Sequence, residues 1–128
     1  MRSDIPPKCK LKPWEKQELL AKADDLIRTF YRPRFVRPPR KNQICNYVVD
    51  FSARWHGAYL IFTAKYACPG PNAIAPFFDH NFARIGWFFP QRCNLWARRH
   101  NDQWIVITDD LTFGACLAEM RTNSWFQF

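Results

Sequence analysis

The sequence predicts an α+β fold, in which a five-stranded antiparallel meander carries an N-terminal helix and a C-terminal helix on one face. Three observations predict this fold. Apolar residues recur every three or four positions near each end of the chain, they alternate with polar residues over Cys45–Trp55, and short turn sequences separate the apolar runs that follow. Helices that flank a run of closely spaced strands are typical of α+β domains.

The N-terminal third predicts an arm, a helix and a linker. Residues 1–12 carry prolines and basic residues but few apolar ones, so we expect a flexible arm. A helix is expected to begin at Pro13, because the first helical position needs no N–H donor, and to continue to about Tyr31. It is expected to end before Pro33, since proline interrupts a helix. The segment 32–42 is rich in arginine and proline and predicts an extended basic linker.

The rest of the chain predicts strands joined by turns, followed by one helix. The alternation over Cys45–Trp55 indicates a strand with one buried face. His56 and Gly57 form the expected turn, because glycine tolerates the positive φ of a two-residue hairpin. Further strands are expected at Ala58–Tyr66, Phe82–Phe89, Cys93–His100 and Gln103–Thr108, with a loop at Ala73–His80 and a helix at Leu111–Arg121 that has Thr112 as its N-cap.

The positive charge lies almost entirely in the first third of the chain. The 128 residues fit a single domain, 1–128, with a formal net charge of +8. Residues 1–41 contain 12 Lys or Arg against 5 Asp or Glu, a net charge of +7, and residues 42–128 contribute the remaining +1. The basic character therefore belongs to one segment rather than to the predicted sheet.

The cysteines and the N-terminus predict a soluble cytoplasmic protein. The 5 cysteines are odd in number and include no C-x-x-C pair, so neither a disulfide framework nor a zinc site is expected. The first residues contain no apolar stretch typical of a secretory signal, and no apolar run is long enough to span a bilayer. We expect reduced cysteines, no cofactor and no membrane partner.

The first candidate site is the basic segment, which predicts binding to nucleic acid or to an acidic protein. Arginine forks bind phosphates, and prolines keep such a segment extended. Aromatic rings among the cations could stack on bases. The residues expected to bind are Arg32, Arg34, Arg37, Arg40 and Lys41, with Tyr31 and Phe35 as stacking rings. The alternative is a solvated linker whose aromatic residues anchor it to the core.

The second candidate is a catalytic or ligand-binding cluster formed by Asp79, His80, Arg84, Arg99 and His100. Asp79 could orient His80 as a general base, and an arginine could hold an anionic group. The alternative is structural: Asp79 and Arg84 form an ion pair that fixes the loop to the sheet. No metal is expected, because the three histidines match no ligand spacing.

The aromatic content exceeds what one small core easily holds. The chain contains 12 Phe, 6 Trp and 4 Tyr. A homodimer that packs through the sheet explains the surplus without a ligand, and we favour it over an apolar ligand cleft.

Several short motifs follow one another along the chain: Asp50 with Trp55-x-Gly57, Tyr66-Ala67-Cys68-Pro69-Gly70-Pro71-Asn72, Pro76-x-Phe78-Asp79, Phe82-Ala83-Arg84, Arg99-His100-x-x-x-Trp104, and Leu111…Cys116-Leu117 with a terminal aromatic cluster. Together they resemble a bacterial family catalogued as a domain of unknown function. The resemblance covers about two-thirds of the chain, from Val48 onward, and leaves the basic segment before residue 42 outside. It implies one folded unit and a bacterial origin, with integron gene cassettes as a plausible source, and it implies no mechanism.

The sequence therefore favours a non-enzymatic binding module that engages a polyanion through its basic segment. A small-ligand-binding or hydrolytic domain built on the Asp/His/Arg cluster is the alternative. A component whose sheet face docks another protein is a third hypothesis.

Overall fold

A computed structural model of the chain describes residues 10–99 and 101–128. Most of the predicted arm and the whole of His100 lie outside the described residues. The helices are α1 (Pro13–Leu26), α2 (Arg32–Phe35) and α3 (Phe113–Thr122), with a π-helical turn at Ile27–Tyr31 and a 3₁₀ turn at Ser124–Phe126. The strands are β1 (Tyr47–His56), β2 (Tyr59–Ala67), β3 (Phe77–Phe89), β4 (Arg92–Arg98) and β5 (Trp104–Leu111).

The strands form one sheet in the order β1-β2-β3-β4-β5, and every neighbouring pair is antiparallel. The predicted meander and the α+β class are therefore confirmed. Bulges interrupt all four pairings, and the one between Phe62 and Thr63 of β2 shifts the register of β3. Across this shift, Leu60 faces Ile85 and Lys65 faces Asp79.

Both terminal helices pack on one face of the sheet. Ala23 and Leu26 of α1 and Cys116 of α3 belong to the same buried cluster as Phe62 and Leu95 of the sheet. Because side chains alternate along a strand, residues between these core positions point to the opposite face, which we call the open face.

The prediction that the first helix ends before Pro33 is wrong, since the chain stays helical to Phe35. The π-helical turn just before the proline explains this continuity. There the N–H of Arg32 donates to the carbonyl oxygen of Ile27, five residues earlier. The wider turn relieves crowding ahead of the proline, and Pro33 occupies the first turn of α2, where a missing N–H costs least. The extended segment therefore begins only after Phe35.

The prediction of a loop at Ala73–His80 is also wrong at its C-terminal end, because β3 begins at Phe77. The N–H of Cys68 donates to the carbonyl oxygen of Pro76 at 2.8 Å and closes a shorter loop. Pairing with β2 continues to Phe77 opposite Ala67, so the exposed polar residues of this region lie on a strand. At the other end, β5 reaches Leu111, and α3 starts after its predicted N-cap, Thr112.

Candidate polyanion-binding surface

The structure divides the predicted basic segment into structural and exposed cations. Arg32 joins the helical segment to β1, because its Nε donates to Oδ1 of Asp50 at 2.9 Å and its Nη2 donates to the carbonyl oxygen of Phe51 at 3.3 Å. Arg28 forms an ion pair with Asp25 on the same helix. The hydrogen-bond and ion-pair partners of these two guanidinium groups therefore lie within the chain.

The other four cations of the segment lie at the surface. Arg34, Arg37, Arg40 and Lys41 are exposed, and none of them forms an ion pair with a carboxylate of residues 10–99 or 101–128. The guanidinium of Arg34 lies 5.3 Å from the ring centre of Phe30, and Nη2 of Arg37 donates to the carbonyl oxygen of Arg34 at 3.2 Å. These interactions restrain both side chains but leave their charges available to a partner.

A groove of about 560 Å³ lies beside these cations, and we call it the basic groove. Arg37 and Arg40 provide the charge of its lining, which contains no acidic residue. The lining consists of Phe35, Arg37, Pro38, Pro39, Arg40, Gln43, Tyr47 and Val48. A concave surface with cations and apolar side chains can bind an anionic segment and bury part of it.

A compact turn holds the end of the basic groove. The N–H of Gln43 donates to the carbonyl oxygen of Arg40 at 3.1 Å, and its side chain accepts from the N–H of Arg40 and donates to the carbonyl oxygen of Cys45 at 2.8 Å. Asn42 takes a positive φ of 63° inside this turn, a conformation that asparagine adopts more readily than most residues. The turn fixes the backbone at Arg40 and Lys41.

The two predicted stacking rings lie within the fold. Tyr31 is fully buried, and its hydroxyl donates to the carbonyl oxygen of Met120 at 3.3 Å. Burial raises the pKa of Tyr31 well above its usual value, so the phenol stays protonated. Phe35 is half-buried, with its ring centre 5.6 Å from that of Phe128. Tyr31 therefore offers no face on which a base could stack.

The described residues of the predicted Asp/His/Arg cluster are divided between β3 and the turn that joins β4 to β5. Asp79 faces Lys65 across the β2–β3 pair, whereas Arg84 faces Ile61, four positions further along β2. Four positions along a strand span about 13 Å. Arg99 is exposed at the β4–β5 turn, where its N–H donates to the carbonyl oxygen of Gln103 at 2.8 Å, and His100 lies outside the described residues.

The side chain of His80 is half-buried. Burial and then the positive charge of Arg98 lower the pKa of His80 below 6.5, and the carboxylate of Asp102 opposes this shift. A lowered pKa favours the neutral imidazole at neutral pH. No hydrogen bond between His80 and Asp79 is among the side-chain contacts of the described residues, so a base-orienting pair is not formed there.

Arg84 instead belongs to an aromatic cluster on the open face. Its guanidinium carbon lies 4.2 Å from the ring centre of Tyr59 and 4.7 Å from those of Trp96 and Trp104. Arg98 lies 5.2 Å from the ring centre of Trp104. Sequence reasoning missed this cluster, although the alternation of each strand could have placed Arg84, Trp96 and Trp104 on one face.

Other aromatic residues of the predicted surplus pack beneath the helices. The ring centres of Trp55 and Trp87 are 5.3 Å apart, and that of Phe113 lies 5.5 Å from Trp87. The indole N–H of Trp55 donates to the carbonyl oxygen of Lys16 at 3.1 Å. The intramolecular core therefore accommodates a large part of the surplus.

A second groove, of about 910 Å³, lies between α1 and α3. Trp14, Leu19 and Leu117 contribute apolar surface to it, and Glu15 and Glu18 contribute acidic groups. Of the catalytic candidates that the structure describes, Asp79, His80, Arg84 and Arg99, none lines this groove. Within the described part of the chain, no group of three or more His, Cys, Asp or Glu side chains could hold a metal ion.

Comparison with known proteins adds a family but no activity. A family model described as a domain of unknown function, DUF3024, matches residues 11–128. The match begins at Leu11 and so includes the basic segment that the sequence motifs left outside. Searches of curated proteins and of solved structures find no match. Over the described residues, no helix has the length and apolar character needed to cross a membrane.

Proposed function

The chain belongs to the DUF3024 family, and we propose that it is a non-enzymatic binding domain for a polyanion. The binding residues are Arg34, Arg37, Arg40 and Lys41. The polyanion is a nucleic acid or an acidic protein. The observation that carries this proposal is the basic groove, whose lining contains two of these arginines and no carboxylate.

Electrostatics supports this assignment. Four cations close together in sequence raise the local concentration of an anionic partner and can form charge-assisted hydrogen bonds with it. Arg32 is excluded from the binding set, because Asp50 and the carbonyl oxygen of Phe51 already accept its N–H groups. Tyr31 is excluded because it is buried.

The alternative, a small-ligand-binding or hydrolytic domain, has weaker support. It needs Asp79, His80, Arg84 and Arg99 to converge, and Asp79 and Arg84 lie at separate register positions. We retain a cytoplasmic location, a bacterial origin and a homodimer as proposals from the sequence. The exposed Phe77, Phe78 and Phe89 of β3 provide apolar surface on the sheet that a second copy could cover.

The binding experiment compares the wild type with a variant that lacks the four exposed cations. Fluorescence anisotropy would follow labelled single-stranded and double-stranded oligonucleotides and polyglutamate at low ionic strength. We expect R34Q/R37Q/R40Q/K41Q to lose salt-sensitive binding to every probe that the wild type binds. For the oligonucleotides, each phosphate that the variant no longer neutralises should flatten the slope of log K against log salt by about 0.7–0.9.

A matched control removes the same charge elsewhere. Lys10, Lys12, Lys22 and Arg121 are exposed and do not line the basic groove, so K10Q/K12Q/K22Q/R121Q has the same net charge as the test variant. The proposal predicts that this control keeps most of the wild-type affinity. Equal losses in both variants would show that net charge alone is responsible, and absence of binding by the wild type would refute the proposal.

A further inference from the structure

We propose that the polyanion is an acidic segment of a protein that also carries aliphatic side chains. This inference rests on the proposed function and names the class of partner. It comes from two exposed isoleucines, one that follows the groove-lining Gln43 in the chain and one in the loop that approaches the first. Burial of aliphatic side chains suits a protein partner better than a phosphate backbone.

Two isoleucines form this apolar surface, which we call the aliphatic rim. Ile44 is 72% exposed, and Ile74, in the loop between β2 and β3, is fully exposed. When a partner covers aliphatic side chains that are this exposed, the burial of apolar surface stabilises the complex. Neither residue belongs to the buried core or to the side chains packed against it.

One chain connection and one backbone approach relate the aliphatic rim to the basic groove. The Gln43 turn places Ile44 directly after a residue that lines the groove. The carbonyl oxygen of Ile44 then lies 3.4 Å from the position that a Cβ atom would take at Gly70, in the loop that carries Ile74. The N–H of Ala73 donates to the carbonyl oxygen of Gly70 at 3.2 Å and turns the loop just before Ile74.

The basic groove itself combines charge with apolar surface. Arg37 and Arg40 supply the positive charge, and Phe35, Pro38, Pro39 and Val48 supply apolar lining. A partner that matches both needs carboxylates for the arginines and aliphatic groups for the lining and the rim. An acidic peptide with interspersed leucine or valine has this chemistry.

Nucleic acid fits the charged part of this surface better than its aliphatic part. Bases bind single-strand proteins by stacking on exposed rings, and the sugar–phosphate backbone binds cations. Tyr31 is buried and Phe35 packs against the core, so Tyr47 is the groove-lining ring that remains for a base. The two isoleucines present no flat ring. The combined surface therefore favours a protein partner.

The test uses three probes of equal formal charge and the full chain. The first is a labelled peptide of about ten residues in which aspartates alternate with leucines and valines. The second has serine in place of every leucine and valine, and the third is a short single-stranded DNA. We expect the aliphatic peptide to bind at least about tenfold more tightly than the serine peptide, because only the first buries apolar surface.

The variant I44S/I74S connects this preference to the aliphatic rim. Both side chains are exposed, so the variant should keep the wild-type melting temperature. We expect it to bind the two peptides with similar affinity, while the serine peptide binds as it does to the wild type. The control F89S removes an exposed apolar side chain that is not part of the rim and should keep the preference.

The outcomes separate this inference from the proposed function. Equal affinity of the wild type for both peptides would overturn the inference and leave the polyanion site intact. Tighter binding of the DNA than of either peptide, unaffected by I44S/I74S, would also overturn it. If none of the three probes binds at low salt, the proposed function fails, and the inference fails with it.

Discussion

The hydroxyl of Tyr31 donates to the carbonyl oxygen of Met120 at 3.3 Å and joins the N-terminal helical segment to α3. The same carbonyl oxygen accepts a second hydrogen bond from Nε2 of Gln127 at 2.9 Å. The carbonyl oxygen of Met120 thus connects the N-terminal helical segment with α3 and with the C-terminal residues. This contact anchors the helical segment at the residue just before Arg32.

Substitution of Tyr31 by phenylalanine should lower stability modestly. Y31F removes one donor from the Met120 carbonyl, but Gln127 continues to satisfy that oxygen. We expect a loss of about 0.5–1.5 kcal/mol in the free energy of unfolding, measured by urea denaturation. Y31F/Q127M should cost more than the sum of the single variants, because it leaves a buried carbonyl without either donor. Simple additivity would show that the two donors do not share the acceptor.

The stability of the wild type should fall at high pH because of the same tyrosine. Burial raises the folded-state pKa of Tyr31 above 10.0, the value of an unperturbed tyrosine. The unfolded state therefore releases this proton first, and stability declines as the pH rises above about 10, by at most about 1.4 kcal/mol per pH unit. Y31F cannot titrate, so it should lose less stability between pH 9 and 11. Parallel curves for the two proteins would contradict this assignment.

Arg32 should affect stability rather than binding. Its pair with Asp50 is about half exposed, with side-chain exposures of 49% and 53%, so solvent screens much of the interaction. We expect R32Q to lower the free energy of unfolding by less than about 1 kcal/mol and to keep most of the affinity for a polyanion. R37Q should keep the wild-type free energy of unfolding and lower the affinity for a polyanion. Thermal melts and anisotropy titrations on both variants would separate the two roles.

Arg84 should stabilise the open face of the sheet through its three ring contacts. R84M keeps the length of the side chain but removes the charge that interacts with Tyr59, Trp96 and Trp104. We expect a loss of about 1–2 kcal/mol, measured by denaturation, together with a change in the near-ultraviolet circular dichroism of the tryptophans. R99M serves as the control, since Arg99 is exposed. Equal stability of the two variants would argue against the cation–π role.

Thr112 should stabilise the start of α3. Its side-chain oxygen accepts from the N–H of Ala115 at 3.2 Å, as an N-cap does. T112A should therefore cost about 1 kcal/mol of unfolding free energy. T122A removes a threonine hydroxyl at the other end of the helix, where it donates to the carbonyl oxygen of Ala118, and should cost less. The reverse order would show that capping is not the main contribution of Thr112.

Period-two patterning predicted the sheet well, because alternating burial is a local signal. All five strands occur in the predicted order, and their ends differ from the predicted ends by a few residues. The start of β3 looked like a loop, since Pro76 precedes it and Asp79 and His80 are polar. Pairing with β2 outweighed that local preference.

The functional division of the basic segment could not be predicted from the sequence. Arg32 and Arg37 have similar neighbours in the chain, and only the position of Asp50 on β1 makes one of them structural. The π-helical turn before Pro33 also depends on packing, which no local rule for proline anticipates. The aliphatic rim likewise depends on tertiary structure, because the backbone of Ile44 approaches the loop of Ile74 at Gly70.

The salt dependence of polyanion binding tests the central claim most directly. We would measure the affinity of the wild type, of R37Q/R40Q and of R32Q for labelled polyglutamate and oligonucleotides between about 20 and 200 mM salt. The account predicts a steep slope for the wild type, a clearly flatter slope and weaker binding for R37Q/R40Q, and near wild-type behaviour for R32Q. Equal slopes for all three proteins would contradict the claim that the basic groove binds a polyanion.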